Sequence, residues 1–430
     1  MNAEQQQQPQ KGIFINLSLF QFLSFVRRGI FYTFMINYIF QLMNTVTYTA
    51  LLGTLDMAAS ALGQNLLWGK IADHYKLRAK LVIAGESTAA ASYFIVYQIY
   101  KSLLNNQANF TAGLSLIIGL AVLEFFWSMS DVGWAALLTE STTSKTRGGI
   151  VGTLNFIASL GRMIGINFAG YLYNNGEGFH QGTIFYIVII MLCISAAIMV
   201  ATSKLTTKTS KQTEHNNSTE VTEKTVTTTH NKKIYKWFLI SLVIIVMGTA
   251  SISQVFLLFI TLPNGLAATS PEMSFILTAY TIGGMAISLM CGWLADRTSR
   301  TKVLIAGMLL AVAAPLFYNL APNFYTMATI YGLSGMSFWT IQTVGFAFAG
   351  DIIPEDKRGR MFSRYNTVMA LSWGPAGLLI GAPLADMQTK ILGLPAYAAY
   401  VNTFYVSSII VAVGTVIFAL KVAGEKPKNA

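Results

Sequence analysis

The sequence predicts an all-α integral membrane protein whose twelve transmembrane helices form two related bundles of six. Composition is the first reason, because hydrophobic residues make up 53% of the 430 residues and charged residues only 11%, whereas a soluble domain carries roughly 25% charged residues. The second reason is that apolar runs long enough to cross a bilayer recur along the chain. The third is that two charged loop motifs occur at matching positions in the two halves.

Each predicted span is a mostly apolar run of about 20 residues, the length that crosses a bilayer as a helix. The first half contains six such runs, at 17–42, 46–69, 80–103, 112–139, 148–173 and 182–202. The second half contains six more, at 236–262, 272–294, 302–320, 324–350, 361–386 and 396–420.

These runs divide the chain into five regions. In order they are a polar N-terminal tail, a helical bundle, a linker, a second helical bundle and a C-terminal tail, at 1–16, 17–202, 203–235, 236–421 and 422–430. The linker is rich in Thr, Ser, Lys and Glu and has almost nothing to bury, so we expect it to be flexible.

The distribution of basic residues predicts the orientation of the chain, whose net charge is +11. With a cytoplasmic N-terminus, the loops on the opposite side contain only Lys101 and Lys390, and the other loop Lys and Arg residues lie in the cytoplasm. This asymmetry places both termini in the cytoplasm of a multi-pass plasma-membrane protein. No basic stripe lies on a soluble face, so the charge does not indicate nucleic-acid binding.

Two charged strings recur at equivalent places in the two halves. "GKIADHYKLRAK" at 69–80 and "GWLADRTSRTK" at 292–302 each follow the second span of their half. "SKTRGG" at 144–149 and "PEDKRGR" at 354–360 each follow the fourth span. Matched signals at matched places predict an internal repeat, which is how many secondary transporters are built.

These strings resemble the signature of the major facilitator superfamily, Gly-x-x-x-Asp-Arg-x-Gly-Arg-Arg/Lys. The matching residues are Gly69, Asp73, Arg78 and Lys80 in the first copy and Gly292, Asp296, Arg297, Arg300 and Lys302 in the second. The resemblance implies a cytoplasmic gate, in which the Asp binds a neighbouring helix N-terminus and loop arginines, with Arg147 and Arg358 in the same set. The alternative is that these charges only set the topology.

Six charged residues lie deep in predicted spans, and all six are in the first half: Arg27, Arg28, Asp56, Glu124, Asp131 and Arg162. Charges within a membrane are costly and usually face a cavity or pair with each other. Helical spacing puts Glu124, Trp127 and Asp131 on one face of the fourth span. It also favours Arg28 over Arg27 as the inward residue of the first span. Glu86, close to the start of its span, is expected to snorkel to the membrane surface.

Two interpretations of these charges remain open. One is a buried salt-bridge network that stabilises the first bundle. The other is a proton site, with Asp131, Glu124 and Asp56 as the coupling candidates. Substrate-binding candidates are polar, basic or aromatic residues of the spans: Arg28, Arg162, Asn155, Trp127, Trp339, Gln342, Asn366 and Trp373. For the aromatic residues among them, packing is the alternative role.

The functional prediction is a monomeric secondary active transporter that moves a small organic solute by alternating access, coupled to protons. Arg28 and Arg162 favour an anionic substrate. The sequence contains no nucleotide-binding loop, metal-ligand cluster or catalytic nucleophile motif, so we expect no enzyme activity, no cofactor and no metal.

One alternative is a proton-driven exporter of lipophilic drugs, although the fifth span lacks the proline typical of such exporters. The other is a transporter-like sensor, although the chain has no large soluble appendage.

Overall fold

The computed structural model describes residues 11–75, 78–140, 147–210, 229–353 and 358–424, and these residues contain helices and connecting turns without a β-strand. The first half contains α1 Lys11–Met43, α2 Val46–Leu62, α3 Gly69–Tyr75, α4 Arg78–Asn105, α5 Asn109–Glu140, α6 Arg147–Tyr173, α7 Glu177–His180 and α8 Thr183–Ser210. The second half contains α9 Thr229–Ser251, α10 Ser253–Ile260, α11 Ser270–Arg297, α12 Arg300–Leu316, α13 Phe324–Ile352, α14 Arg358–Trp373, α15 Ala382–Asp386 and α16 Ala396–Phe418.

The apolar runs of the sequence coincide with these helices. Within the described residues, nine helical segments are long and apolar enough to cross a membrane. The predicted count of twelve spans therefore stays a prediction. One reason for the difference is that some predicted spans are short or interrupted: α12 has 17 residues, and a π-helical turn at Gly63–Trp68 separates α2 from α3.

The contacts divide the chain into two compact units. The first comprises Met1–Asn44 and Leu55–Ser218, and the second comprises Thr45–Thr54 and Thr219–Ala430. The division differs from the predicted regions at Thr45–Thr54, the beginning of α2. This segment groups with the second unit because Asp386 accepts hydrogen bonds from the backbone N–H groups of Val46 and Thr47, at 3.1 and 2.8 Å. A carboxylate here caps the positive N-terminal end of the helix.

The two units pair their helices in the same order. In the first unit α1 packs against α6 and α8, and α4 packs against α5 and α8. In the second unit α9 packs against α14 and α16, and α12 packs against α13 and α16. Counted along each half, these are the same partners, so the internal repeat expected from the loop motifs is present in the helix packing.

Small residues bring the backbones of α1 and α6 together. A Cβ added to Gly165 would lie against the carbonyl oxygen of Val26 and 3.0 Å from the Cα of Gly29. A Cβ added to Gly29 would lie 2.9 Å from the Cα of Gly165. Close approach of this kind is how helices associate in a bilayer, where apolar burial gives little driving force.

Replacing Gly165 by Ala should therefore destabilise the first unit. The new Cβ meets backbone atoms that no side-chain rotation can move away, and overpacking of this kind costs about 1–3 kcal/mol. Gly152→Ala on the same helix is the matched control, because a Cβ there meets no atom within 4 Å. The measurement is the thermal unfolding temperature of both variants in detergent. An equal effect of the two substitutions would contradict the packing argument.

Candidate functional site

The two neighbouring arginines of α1 lie in different environments. Arg27 is buried, and its Nη2 lies 3.8 Å from Oε2 of Glu86 on α4. Arg28 is one-third exposed, and its Nη2 donates to Oδ1 of Asp131 on α5 at 3.2 Å. Consecutive residues on a helix point about 100° apart. The pair of arginines therefore connects α1 to two different helices.

Glu86 is the main correction to the sequence-based picture. The expectation that it snorkels to the membrane surface is wrong, because the residue is completely buried. Its Oε1 accepts hydrogen bonds from Trp127 Nε1 and Ser130 Oγ, both at 2.8 Å. Glu86 lies two turns inside α4, and its short side chain faces α5. The available signal was its spacing from Val82 and Tyr93, which are both buried on the same face.

Trp127 connects the two ion pairs. Its indole ring centroid lies 4.1 Å from the guanidinium carbon of Arg27 and 4.4 Å from that of Arg28. Contacts of a cation with the face of an indole are attractive, and more so where water is excluded. Trp127 is buried and donates to Glu86. It thus holds both guanidinium groups and one of the carboxylates in place.

Two further carboxylates complete the group of charges. Glu124 on α5 interacts electrostatically with Arg28, Asp131 and Arg27, and Asp56 on α2 interacts with Glu124. Neither takes part in an ion pair within 4 Å in the described part of the chain, where Arg27 pairs with Glu86 and Arg28 with Asp131. We call the two arginines and four carboxylates the charge cluster: Arg27, Arg28, Asp56, Glu86, Glu124 and Asp131.

Arg162, the third arginine expected in the spans, is not part of the charge cluster. It is exposed on α6, on the same side as Asn155, which is also exposed, and the half-buried Ser159. The exposed Phe156 and Phe168 are each six positions from Arg162, which is about 120° away around the helix axis. An exposed arginine among polar neighbours suits contact with water, because lipid contact would be costly.

The substrate candidates of the second half lie on α13 and α14. Trp339, Trp373 and Asn366 are exposed, and Gln342 is half-buried. The Trp339 ring packs against Gly284 of α11, where a Cβ would meet it. Their role as substrate contacts stays a prediction.

Two residues expected at the gate, Asp296 and Arg300, contact each other in the second unit, and their role as a gate stays a prediction. Arg300 donates to Asp296 Oδ1 at 3.2 Å, to the Ala347 carbonyl at 3.1 Å, and to Asp351. Burial lowers the pKa of Arg300, but its hydrogen bonds to Asp296 and Asp351 raise the pKa by more, so the guanidinium stays charged. Sequence analysis missed Asp351, although its place at the end of the tenth span, just before the second loop motif, was a usable signal. The Arg297 guanidinium lies 4.1 Å from the ring centroid of the exposed Trp293.

Four other gate residues are described by their place in the helices. Gly69 begins α3, and Gly292 lies within α11, where a Cβ would meet nothing within 4 Å. Arg78 begins α4 and Lys80 is exposed. The side chains of the remaining three, Asp73, Arg147 and Arg358, lie outside the described part of the structure.

A cavity of about 160 Å³ lies in the first unit beside the charge cluster. Aromatic, polar and charged side chains from α1, α4 and α5 line it: Phe20, Gln21, Ser24, Phe25, Arg28, Glu86, Trp127, Ser130, Asp131 and Trp134. It touches Glu86 of the buried pair and both partners of the half-exposed pair.

Repeated helical units with ionisable side chains inside the membrane-spanning region are typical of secondary transporters. The family model of the Major Facilitator Superfamily matches residues 17–263 and 239–430. The chain belongs to this family, which is a family of membrane transporters and not of enzymes.

Similar proteins agree with this assignment. The putative metabolite transport protein YncC of Bacillus subtilis (strain 168) is 32% identical over 136 residues, which are 32% of this chain and 27% of that protein. The galactose-proton symporter of Escherichia coli (strain K12) is 26% identical over 125 residues, 29% of this chain and 26% of the symporter. The matched stretch thus spans about a quarter of each relative.

Solved structures show the same fold over nearly the whole chain. The nucleoside transporter NupG has a TM-score of 0.67 at 14% identity, with 95% of this chain and 100% of that chain covered. A bacterial homologue of the lysosomal transporter Spinster has a TM-score of 0.68 at 12% identity, with 97% and 98% covered. At these identities the likeness concerns the fold alone.

The different exposure of the two ion pairs predicts different effects on stability. Glu86→Gln leaves the buried Arg27 without its counter-charge, and breaking a buried pair in this way costs about 3–5 kcal/mol. Asp131→Asn removes one partner of a half-exposed pair, for which about 0–1 kcal/mol is typical. The two variants are compared by thermal unfolding of the purified protein. Equal losses would show that the burial of Arg27 and Glu86 does not determine their contribution.

Proposed function

We propose that the protein is a proton-coupled secondary active transporter of a small organic solute. It works by alternating access as a monomer in the plasma membrane, with both termini in the cytoplasm. The observation that carries this proposal is the charge cluster, which places four carboxylates and two arginines in membrane-spanning helices of one unit. Ionisable groups at such depth usually belong to ion or proton pathways.

The half-exposed pair is the coupling element of the proposal. A carboxylate next to an arginine releases its proton more readily than the same carboxylate without a cation. Breaking and re-forming the contact between Arg28 and Asp131 is the step that would couple a proton to transport, with Asp131 as the first candidate. Glu124 and Asp56 are the next candidates. They interact electrostatically with other members of the charge cluster, and within the described residues neither has an ion-pair partner within 4 Å. The similarity of part of the chain to a galactose-proton symporter supports coupling to protons.

The charge of the solute is a separate part of the proposal. Both arginines of α1 already have a carboxylate partner. Arg162 is exposed on the polar side of α6, so it is the arginine that would hold an anionic group of the solute. A neutral solute needs no such anchor.

Proteoliposomes test the proposal directly. Purified protein is reconstituted, a pH gradient is imposed, and uptake of a panel of neutral, anionic and cationic solutes is measured. We expect accumulation of at least one solute against its own gradient, and we expect a protonophore to abolish it. Flux that is indifferent to the pH gradient would contradict proton coupling. Resistance of expressing cells to lipophilic cations would favour the drug-exporter alternative.

Asp131→Asn should abolish accumulation driven by the pH gradient while solute exchange across the membrane continues. The amide of asparagine does not take up or release a proton near neutral pH, but it has nearly the same shape as the carboxylate, so the binding site is kept. Glu177→Gln is the control, because Glu177 lies on the short helix α7 and binds the exposed Asn174. Persistent uphill transport by Asp131→Asn would assign coupling to another carboxylate and favour a structural role for this pair.

A further inference from the structure

The charges that line the cavity of the first unit are already balanced. Arg28 is paired with Asp131, and Glu86 is paired with Arg27 behind the cavity wall. A ligand with a full charge would have to displace one of these partners or remain without a counter-charge, which is costly away from bulk water. The balance therefore favours a neutral ligand in this cavity.

Some polar atoms next to the two ion pairs have no hydrogen-bond partner. In the described part of the chain, Nε of Arg28 is buried and has no hydrogen-bond partner, and Oε2 of Glu86 faces Arg27 at 3.8 Å without accepting a hydrogen bond. The Gln21 side chain adds an amide to the lining. The carboxylate accepts, the guanidinium donates and the amide does both. A hydroxyl group both donates and accepts, so hydroxyls can match all three.

The remaining wall is aromatic. Phe20 and Trp134 stack with ring centroids 5.0 Å apart and an interplanar angle of 29°, and the cavity also meets Phe25 and Trp127. Flat aromatic surfaces pack against the C–H face of a saturated ring. The volume of about 160 Å³ lies below the roughly 300–1,000 Å³ of pockets for drug-sized ligands. The size thus suits one small ring.

We propose that this cavity is a binding subsite for a neutral, hydroxyl-rich ring of monosaccharide size. The proposal deepens the proposed function, on which it rests, by naming the class of solute. The ring hydroxyls bind Glu86, Arg28 and Gln21, and the apolar face of the ring packs on the aromatic wall. The two ion pairs stay formed, because the ligand brings no charge that competes with them.

Binding to the purified protein tests the solute class. D-glucose, D-glucosamine and D-glucuronate share one ring and differ in charge, and D-galactose and inositol vary the hydroxyl arrangement. Trp127 and Trp134 line the cavity, so tryptophan fluorescence reports its occupation. We expect a saturable change with at least one neutral compound and binding at least about tenfold weaker for its charged analogue, a factor that corresponds to one displaced ion-pair contact. Binding of the charged analogues alone, or of none of the neutral compounds, overturns the proposal.

Gln21→Ala should weaken binding of the neutral compound about fivefold, the usual effect of one lost hydrogen bond. Gln21 lies in neither ion pair, so the variant should keep the unfolding temperature of the unchanged protein. Gln98→Ala is the matched control, since Gln98 is exposed on α4 and does not line the cavity. Equal affinity of the two variants would remove Gln21, and with it the proposed subsite, from ligand binding.

The two proposals fail separately. If a charged solute is driven uphill by the pH gradient while the neutral compounds do not bind, proton-coupled transport stands and the solute class is wrong. If a neutral compound binds with the expected Gln21 dependence but its flux ignores the pH gradient, the solute class stands and proton coupling is wrong.

Discussion

Two adjacent arginines in the middle of a membrane-spanning helix impose the strongest constraint on the first unit. Each guanidinium needs a counter-charge, because an isolated charge inside a bilayer is costly. Neighbouring side chains on a helix point in different directions, so Arg27 and Arg28 need partners from different helices. Glu86 and Asp131 meet this need from α4 and α5. The ion pairs thus require α1, α4 and α5 to meet at one level.

The packing of α4 against α5 makes this meeting possible. A Cβ added to Gly85 would lie 2.7 Å from the Cβ of Ser130, so the two helices approach closely beside the buried pair. Ser130 and Trp127 can then both donate to Glu86. These donors stabilise a carboxylate that is closed off from water and leave Asp131, the residue after Ser130 on α5, at the half-exposed edge. The same helix pair therefore supplies one closed and one accessible carboxylate.

The sequence predicts the helices and the repeat well, because both depend on signals that are local in the chain. Runs of about 20 apolar residues indicate spans, and the loop motifs around Asp73 and Asp296 indicate two equivalent halves. Periodicity also places Glu124, Trp127 and Asp131 on one face. Periodicity does not show which helices pack together, so it could not identify Glu86 as the partner of Arg27. From the sequence, Glu86 was expected at the membrane surface and Arg162 among the buried charges, whereas Glu86 is buried and Arg162 is exposed.

The structure includes Glu86 in the charge cluster and leaves Arg162 outside it, and this changes the balance of positive and negative groups. From the sequence, three basic and three acidic residues balance, as a purely structural network would. In the structure the cluster contains two arginines and four carboxylates. Both sequence-based interpretations stay predictions: the buried pair of Arg27 and Glu86 is the candidate for a structural role, and the half-exposed Asp131 is the first candidate for proton coupling.

In its described residues, the second unit repeats the helix packing without repeating this chemistry. Its described ion pairs lie at helix ends, where Arg300 joins Asp296 and Asp351, and Lys390 lies 3.6 Å from Asp386. Helix ends are close to water, so these pairs need no deep partner and contribute little to stability. The repeat therefore accounts for the helix packing of both units, while the arginines of α1 give the first unit the charged interior on which both proposals rest.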